Sequence, residues 1–414
     1  GGVRTVEVDA RGRIVGDFAG VTATPATPGR DIRLNVDLDL QEWIHHIFPD
    51  TLAGAVVALD PHDGGVLALY SAPAFDPNDF VGGIDSDRWA GLRDSEDKPL
   101  FNRAVQGTYA PASTWKLAAA AIALDLGVVG PHETMAEPCD GGFQFGNRRF
   151  RCWDADGHGN LTLIEAIQHS CDVYFYQLGL RIGLDRLLRR STEIGFSNRC
   201  GIDLPGEARG TLPADRQWWV DAYGYPAQEG EVLSLAIGQG PNDQTPLKMA
   251  QFYMALARDG SAPAPLLRAG AADAEALGWE LNLQPASLDA MLEGLRRVTG
   301  PEGTAYLSSL EHWDLYGKTG TGQNSLSVKG LAEDHAWFAG MAGPRGGEPE
   351  IVVVVLVEFG GGGSSVAAPL AAKTADFYLR GVHGIPRDTL QTLGEHLRAG
   401  AWPAWAVRLP AGGP

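Results

Sequence analysis

A hydroxyl and an amine three residues apart can together carry out acyl transfer, and the stretch Ala110-Pro111-Ala112-Ser113-Thr114-Trp115-Lys116 holds such a pair in Ser113 and Lys116. The run Leu117 to Leu124 is apolar and alanine-rich, so a buried helix is expected there. Pro111 imposes an extended approach, which places Ser113 near the first helical turn and Lys116 on the same face. A serine hydroxyl is a weak nucleophile until a base takes its proton, and a neutral lysine amine at this spacing is such a base. The N–H groups at a helix start, with the positive end of its dipole, suit a developing oxyanion. The same two residues also describe a helix-capping serine beside a solvated lysine, so the rest of the chain must decide.

Two further groupings stand out. Ser170-Cys171-Asp172 lies at or just before a helix that carries Tyr174-Phe175-Tyr176, and Lys318-Thr319-Gly320-Thr321 lies at a strand, where Gly320 lets a ligand backbone come close. Taken singly, Ser170 is an ordinary helix cap, Lys318 a solvated charge at a strand end, and Thr319 and Thr321 a strand face. A third grouping has metal-ligand chemistry: Cys139, Cys152, His158 and Cys171, spaced C-x12-C-x5-H-x12-C. Three cysteines and one histidine form a structural zinc set. On a helix Cys171 points about 100° away from Ser170, so it need not enter a site that Ser170 lines. The intervening Asp140 to Asn160 is glycine-rich and poor in apolar residues, the kind of loop a metal staples. A Cys139–Cys152 disulfide and three free thiols remain open alternatives. Cys200 reads as an isolated turn residue, and Asp140, Asp154 and Asp156 as reserve ligands.

These residues need elements to hold them. The chain has 414 residues, enough for a sizeable core, and its 33 basic against 51 acidic residues give a net charge of -18, which argues against nucleic acid or an anionic membrane surface as partner. The longest apolar run, Ile351 to Val357, is strand-sized and far short of a membrane span. With no signal peptide and no initiator Met, the chain reads as a fragment or processed form. Val6 to Val15 suits a hairpin, Val21 to Gly29 a linker, Ile32 to Asp37 a strand and Leu38 to Ile47 a helix. Ala55–Asp60 and Val66–Tyr70 predict a hairpin through Pro61–Gly65. Late strands are expected into Tyr316–Lys318, at His335–Met341 and at Ile351–Phe359, with a closing helix at Ala367–Leu379. Helices are expected near 113–126, 162–180, 184–194, 245–258 and 286–299, and a variable surface insertion at Ala262–Gln284. Two early and three late strands around a helical middle predict an α+β fold: an antiparallel sheet built from both chain ends, flanked by helices, with an all-helical subdomain inserted.

In the order Ser113, Ser170, Lys318, the three active motifs resemble those of the penicillin-recognising serine transpeptidases. The resemblance to class B penicillin-binding proteins covers nearly all of residues 4–380. It includes Asp31-Ile32-Arg33-Leu34-Asn35-Val36-Asp37-Leu38-Asp39-Leu40-Gln41, Ala72-Pro73-Ala74-Phe75-Asp76-Pro77-Asn78 and Asn102-Arg103-Ala104. It continues through Gly201-Ile202-Asp203-Leu204-Pro205-Gly206-Glu207, Ile237-Gly238-Gln239-Gly240, Thr245-Pro246-Leu247 and His335-Ala336-Trp337-Phe338. Asp172 at the end of the second motif resembles the penicillin-binding protein 2 group, the cell-elongation transpeptidases, where division-specific relatives carry Asn.

The resemblance implies a five-stranded penicillin-binding fold over residues 31–385, a pedestal remnant at 1–30 and a tail at 386–414. It implies a peptidoglycan D,D-transpeptidase that cross-links stem peptides through a serine acyl-enzyme and is inhibited covalently by β-lactams. Ser113 is then the nucleophile and Lys116 its base, which requires the lysine's ordinary pKa of ~10.4 to fall through burial and nearby Lys318. Ser170 relays a proton to the leaving amine, Asp172 orients the network, and Lys318, Thr319 and Thr321, with Gly320 between them, take the substrate carboxylate. The N–H groups of Ser113 and Thr321 form the oxyanion hole. Zinc binding in this loop is implied too, with carboxylates in some relatives where Cys139 and Cys152 stand, as is an extracytoplasmic location that permits a disulfide instead. The implied full-length protein is held at the periplasmic face of the inner membrane by an N-terminal helix preceding this chain, and partners a SEDS-family glycosyltransferase of the elongation complex. Competing readings are a serine β-lactamase, a β-lactam sensor domain, a D,D-carboxypeptidase and a non-catalytic scaffold.

Overall fold

Strands from opposite ends of the chain meet in one sheet. The computed structural model describes residues 2–270, 279–323 and 334–387; the tail from residue 388, with Trp402 and Trp405, lies outside the described residues. The chain divides into two units, residues 1–34 and residues 35 onward. In the first, β1 (Val6–Val8) and β2 (Ile14–Asp17) form the expected hairpin.

The second unit runs α1 (Leu38–Ile47), β3 (Gly54–Leu59), β4 (Val66–Ala72), α2 (Ser86–Arg93), α3 (Lys116–Asp125), then a small hairpin of β5 (Gly142–Phe145) and β6 (Arg148–Arg151). It continues α4 (Leu163–Gln168), α5 (Asp172–Ile182), α6 (Leu184–Ile194), α7 (Gln217–Tyr223), α8 (Glu231–Ala236) and α9 (Pro246–Ala257). After the short pair β7 (Ser261–Ala262) and β8 (Trp279–Glu280) come α10 (Pro285–Thr299), β9 (Trp313–Gly322), β10 (His335–Pro344), β11 (Ile351–Val357) and α11 (Ala368–Val382). The main sheet is five-stranded and antiparallel in the order β4-β3-β11-β10-β9. This is the predicted α+β architecture, except that the inserted middle is not all-helical: it carries the β5–β6 hairpin.

Packing explains the sequence patterns. β3 and β11 are buried at every residue, so they read as continuous apolar runs and not as alternations. α9 and α11 both lie against β10 and β11. α1 docks on α11 through Trp43, which stacks on Phe377 with ring centroids 4.9 Å apart and donates its indole N–H to the Lys373 carbonyl at 3.2 Å. Trp313 donates to Asp376, and Asp376 pairs with Arg380 at 3.0 Å, so the charge pair inside α11 is buried and satisfied. Buried from Lys116 to Ala123, α3 lies against α5, α6 and α10; small alanines let these neighbours close in from several sides.

Three further expectations need correction. Ile32–Asp37 is no strand; within it Asn35 and Asp37 donate single backbone bonds to Leu267 and Leu67. The helix expected over 162–180 breaks into α4 and α5, because Ser170 sits at φ +54 and Cys171 caps α5. Pro111 is not extended: its φ and ψ are -72 and -8, and the turn is made by Ala112 at φ +50. Residues 271–278 of the expected insertion lie outside the described residues, while Ala262 and Ala264 are buried.

Candidate active site and metal centre

Ser113 is half-buried on a 3-10 turn, Ala112–Trp115, that leads directly into α3. The turn is pinned at several points. Ala112 donates its N–H to the Gly238 carbonyl at 3.0 Å, the Thr114 hydroxyl donates to the Pro111 carbonyl at 2.5 Å, and the fully buried Tyr253 hydroxyl donates to the Thr114 carbonyl at 3.0 Å. Gly238 sits at φ +73, where a Cβ would come 2.2 Å from the Ala112 oxygen. Gly320 is also confined by its own neighbours: a Cβ there would come 3.1 Å from Trp337 Cβ, 3.2 Å from Thr114 Cγ2 and 3.3 Å from the Pro111 oxygen. The small residue is needed where β9 abuts the serine turn.

Lys116 is fully buried and its Nζ donates to the Ser170 carbonyl at 2.8 Å, the Ser170 hydroxyl at 3.2 Å and Asp172 Oδ1 at 2.7 Å. Two motifs separated by more than fifty residues thus close on one amine. The second oxygen of Asp172 accepts the Trp153 backbone N–H at 3.0 Å. Lys318 is buried too, donating to the Thr319 carbonyl at 3.2 Å. Its ammonium is pushed well below the usual lysine range, by burial first and the Lys116 charge second, with Asp172 opposing. Thr319 and Thr321 share a strand face two residues apart. The Thr319 hydroxyl lies 2.9 Å from that of Thr304, a neighbour sequence spacing did not flag, while Thr321 is exposed and accepts the Gly363 N–H at 3.5 Å.

Lys318→Met is expected to raise stability by ~1–2 kcal/mol while slowing any acylation of Ser113 about 10²-fold, because a buried cation is costly to the fold and useful to an anion. Lowering of the folded pKa makes the unfolded chain the stronger proton binder. The lysine's cost is therefore full below the folded pKa and vanishes above the ordinary value of 10.5. Thermal melts of both proteins should converge as the pH rises toward that value.

Behind Ser170 the four predicted ligands come together. Cys139 exchanges backbone bonds with Gly159 at 2.9 Å each way, Cys152 leaves the β5–β6 hairpin, and Cys171 opens α5. Their ligand atoms and that of His158 all lie within 4.8 Å of one another. All the cysteines are free, so the Cys139–Cys152 disulfide is absent. Both Cys139 and Cys152 place Sγ 3.6 Å from His158 Nδ1. A tetrahedral ion with Zn–S of ~2.3 Å and Zn–N of ~2.05 Å sets sulfur and nitrogen about 3.6 Å apart, so the set fits zinc. The thiols compete for one charge: the Cys171 thiol pushes Cys152 down to about 2, and its bond to Cys152, then burial, pushes Cys171 up. A divalent cation would hold them as thiolates together.

The remaining candidates divide. Asp154 Oδ2 is 3.8 Å from His158 Nε2, too far for a hydrogen bond, and Asp140 pairs with Arg149 at 2.7 Å. Asp156 is outside the cluster of ligand atoms. Cys200 stands apart from the cluster as expected; it is fully buried, near Glu207 and Lys248, and burial pushes its thiol up to about 12.

Residues 54–376 match the penicillin binding protein transpeptidase domain family. The chain is 35% identical over 405 residues to peptidoglycan D,D-transpeptidase MrdA of Haemophilus influenzae, covering 91% of this chain and 60% of the relative. It is 34% identical over 386 residues to MrdA of Escherichia coli K12, covering 88% of this chain and 60% of the relative. The chain therefore spans about 60% of the length of these curated relatives. Among solved structures it is similar to Pseudomonas aeruginosa PBP2 in complex with WCK 5153, with TM-score 0.76, 36% identity, and coverage of 93% of this chain and 80% of that one. It is also similar to the complex of PBP2 and MreC from Helicobacter pylori, with TM-score 0.77, 30% identity, and coverage of 91% and 69%. With Lys116, Ser170 and Lys318 gathered around the buried Asp172 carboxylate, Ser113 three residues before Lys116, and the family match running through residues 54–376, the chain belongs to the penicillin-binding protein transpeptidase family.

Proposed function

We propose that this chain is the catalytic part of a peptidoglycan D,D-transpeptidase of cell elongation, a serine acyl-transfer enzyme. The observation that carries the reading is Lys116: fully buried, it stands three residues after Ser113 and bonds both Ser170 and Asp172. Ser113 Oγ attacks the penultimate D-Ala carbonyl of a stem peptide and gives its proton to Lys116. The N–H groups of Ser113 and Thr321 stabilise the oxyanion, and Thr319, Thr321 and Lys318 hold the terminal carboxylate. The C–N bond breaks, the departing D-Ala amine takes a proton through Ser170, and an acyl-enzyme remains. An amine of a neighbouring stem then attacks the ester, forming the cross-link and freeing Ser113. A β-lactam stops at the acyl stage. Asp172 keeps the network oriented throughout.

Cys139, Cys152, His158 and Cys171 would hold a structural zinc, which supplies a fixed tetrahedral tie for the loop and no step of the reaction; their fit to tetrahedral distances supports this. Among the described residues no helix is long and apolar enough to cross a membrane. We extend this proposal to an extracytoplasmic site, residues 1–30 as the remnant of a pedestal, a membrane anchor in the full-length protein and a SEDS-family glycosyltransferase as partner; the PBP2–MreC complex of the Helicobacter pylori relative supports an MreC-like partner as well.

The test is a mass measurement of intact protein after penicillin, followed by peptide mapping. One adduct on Ser113, absent from Ser113→Ala, with no turnover of a chromogenic β-lactam, is the expected result. Rapid turnover would make the protein a β-lactamase, and no adduct at all would make it a scaffold.

A further inference from the structure

Both main acceptors of the Lys116 ammonium are shared with one residue of the metal loop. The Ser170 carbonyl, 2.8 Å from Lys116 Nζ, also accepts the Trp153 indole N–H at 3.1 Å. The Asp172 carboxylate, which takes Lys116 on Oδ1, takes the Trp153 backbone N–H on Oδ2. The same indole N–H reaches the His169 carbonyl at 3.0 Å. Trp153 therefore straps the segment 169–172 from outside, at the point where the α4–α5 break forces Ser170 to φ +54. A non-glycine residue holds that conformation only when its surroundings fix it.

Core packing does not account for the side chain. Trp153 is 59% exposed, an unusual place for a large aromatic unless its polar end or its face has work to do. Its ring stands 5.2 Å from that of His158, and its neighbour in the chain is Cys152. One residue thus touches the metal loop on one side and the acceptors of the proposed base on the other.

We infer that Trp153 is a positioning residue for acyl transfer: its indole and backbone N–H groups hold the Ser170 carbonyl and the Asp172 carboxylate where Lys116 needs them. This rests on the reading of Ser113 as the acylated nucleophile. Trp153 touches no reacting atom. It orients Lys116 through the two groups that Lys116 bonds, and with Cys171 it links the order of the metal loop to the serine.

Trp153→Phe removes the indole donor and keeps the backbone N–H and most of the ring. The measurement is the acylation of Ser113 by a fluorescent penicillin, resolved into the noncovalent dissociation constant and the limiting acylation rate, with zinc added and metal per chain counted. Loss of one such hydrogen bond is expected to lower the limiting rate about tenfold. The dissociation constant, the zinc content and the fraction of protein labelled should be unchanged. A merely structural role would reduce the labelled fraction or the Tm and leave the rate of the surviving enzyme as it was. Replacing Trp153 with benzothienylalanine, which keeps the ring shape and lacks the N–H, should reproduce the slow rate even if Phe disturbs the loop. A limiting rate within twofold of the parent in the benzothienyl protein overturns the inference. If the unmodified protein itself fails to label at Ser113, the functional reading falls, and the two failures are told apart.

Discussion

Lys116→Ala is expected to slow acylation of Ser113 by penicillin by about 10³-fold, within the range by which a positioned general base accelerates a reaction. The expectation comes from where the amine sits. Its three hydrogen bonds all go to Ser170 and Asp172, and its ammonium otherwise stands over the face of Phe175, 5.5 Å from the ring centroid. Lys318 is the other buried amine nearby, and it bonds a carbonyl of its own strand. Removing Lys116 leaves the Asp172 carboxylate with the Trp153 N–H and the charge of Lys318, so the site keeps a partner for its anion and the variant should fold. Losses in rate and in structure are separable by comparing the second-order acylation constant with a thermal melt. A variant that acylates as fast as the parent sinks the assignment of Lys116 as base.

Removing the proposed zinc is expected to have the second large effect. The stretch from Cys139 to Asn160 contributes few buried side chains of its own, chiefly Phe143 and the two cysteines, so little apolar burial holds it once an ion is gone. Chelation, or Cys152→Ala, is expected to lower the Tm by on the order of 5 °C, from an ion bound far above its dissociation constant. Acylation should slow with it, because the loop carries Trp153 and α5 begins at Cys171. Native mass spectrometry would read one zinc per chain before chelation and none after. Full acylation and an unmoved Tm in a verified zinc-free sample would end the structural-zinc reading, and a mass short by two hydrogens would mean that the freed thiols had paired.

Much of this was legible in the residues. The sheet strands stood out because burial on both faces makes them apolar end to end, and α9 announced itself through Thr245 and Pro246, which cap and open it. The four candidate metal ligands stood out by residue type and spacing, whereas the three motifs were ordinary singly and were named through their resemblance to the penicillin-recognising set. The break at Ser170 was not legible, since helical periodicity runs on across it; the Cys171 cap and the Trp153 indole, supplied from elsewhere in the chain, decide it. Ile32–Asp37 alternates like a strand, but Ile32 and Leu34 are exposed, so the alternation marks no buried face for a sheet to cover. Trp153 and Thr304 carry no signal of their own: each matters only through what the fold sets beside it.

The pairing of β3 with β11, which joins Val56 to Val355 and Leu59 to Val352, also has a consequence for biogenesis. A ribosome releases the β3–β4 hairpin long before it makes Ile351–Val357. Until then one full edge of β3 is open, the state in which strands most readily capture other chains. Contacts this distant in sequence also form slowly. The fold is therefore committed late and nearly at once, and a chain arrested before Ile351 should be lost to aggregation or proteolysis instead of persisting as a partly working enzyme.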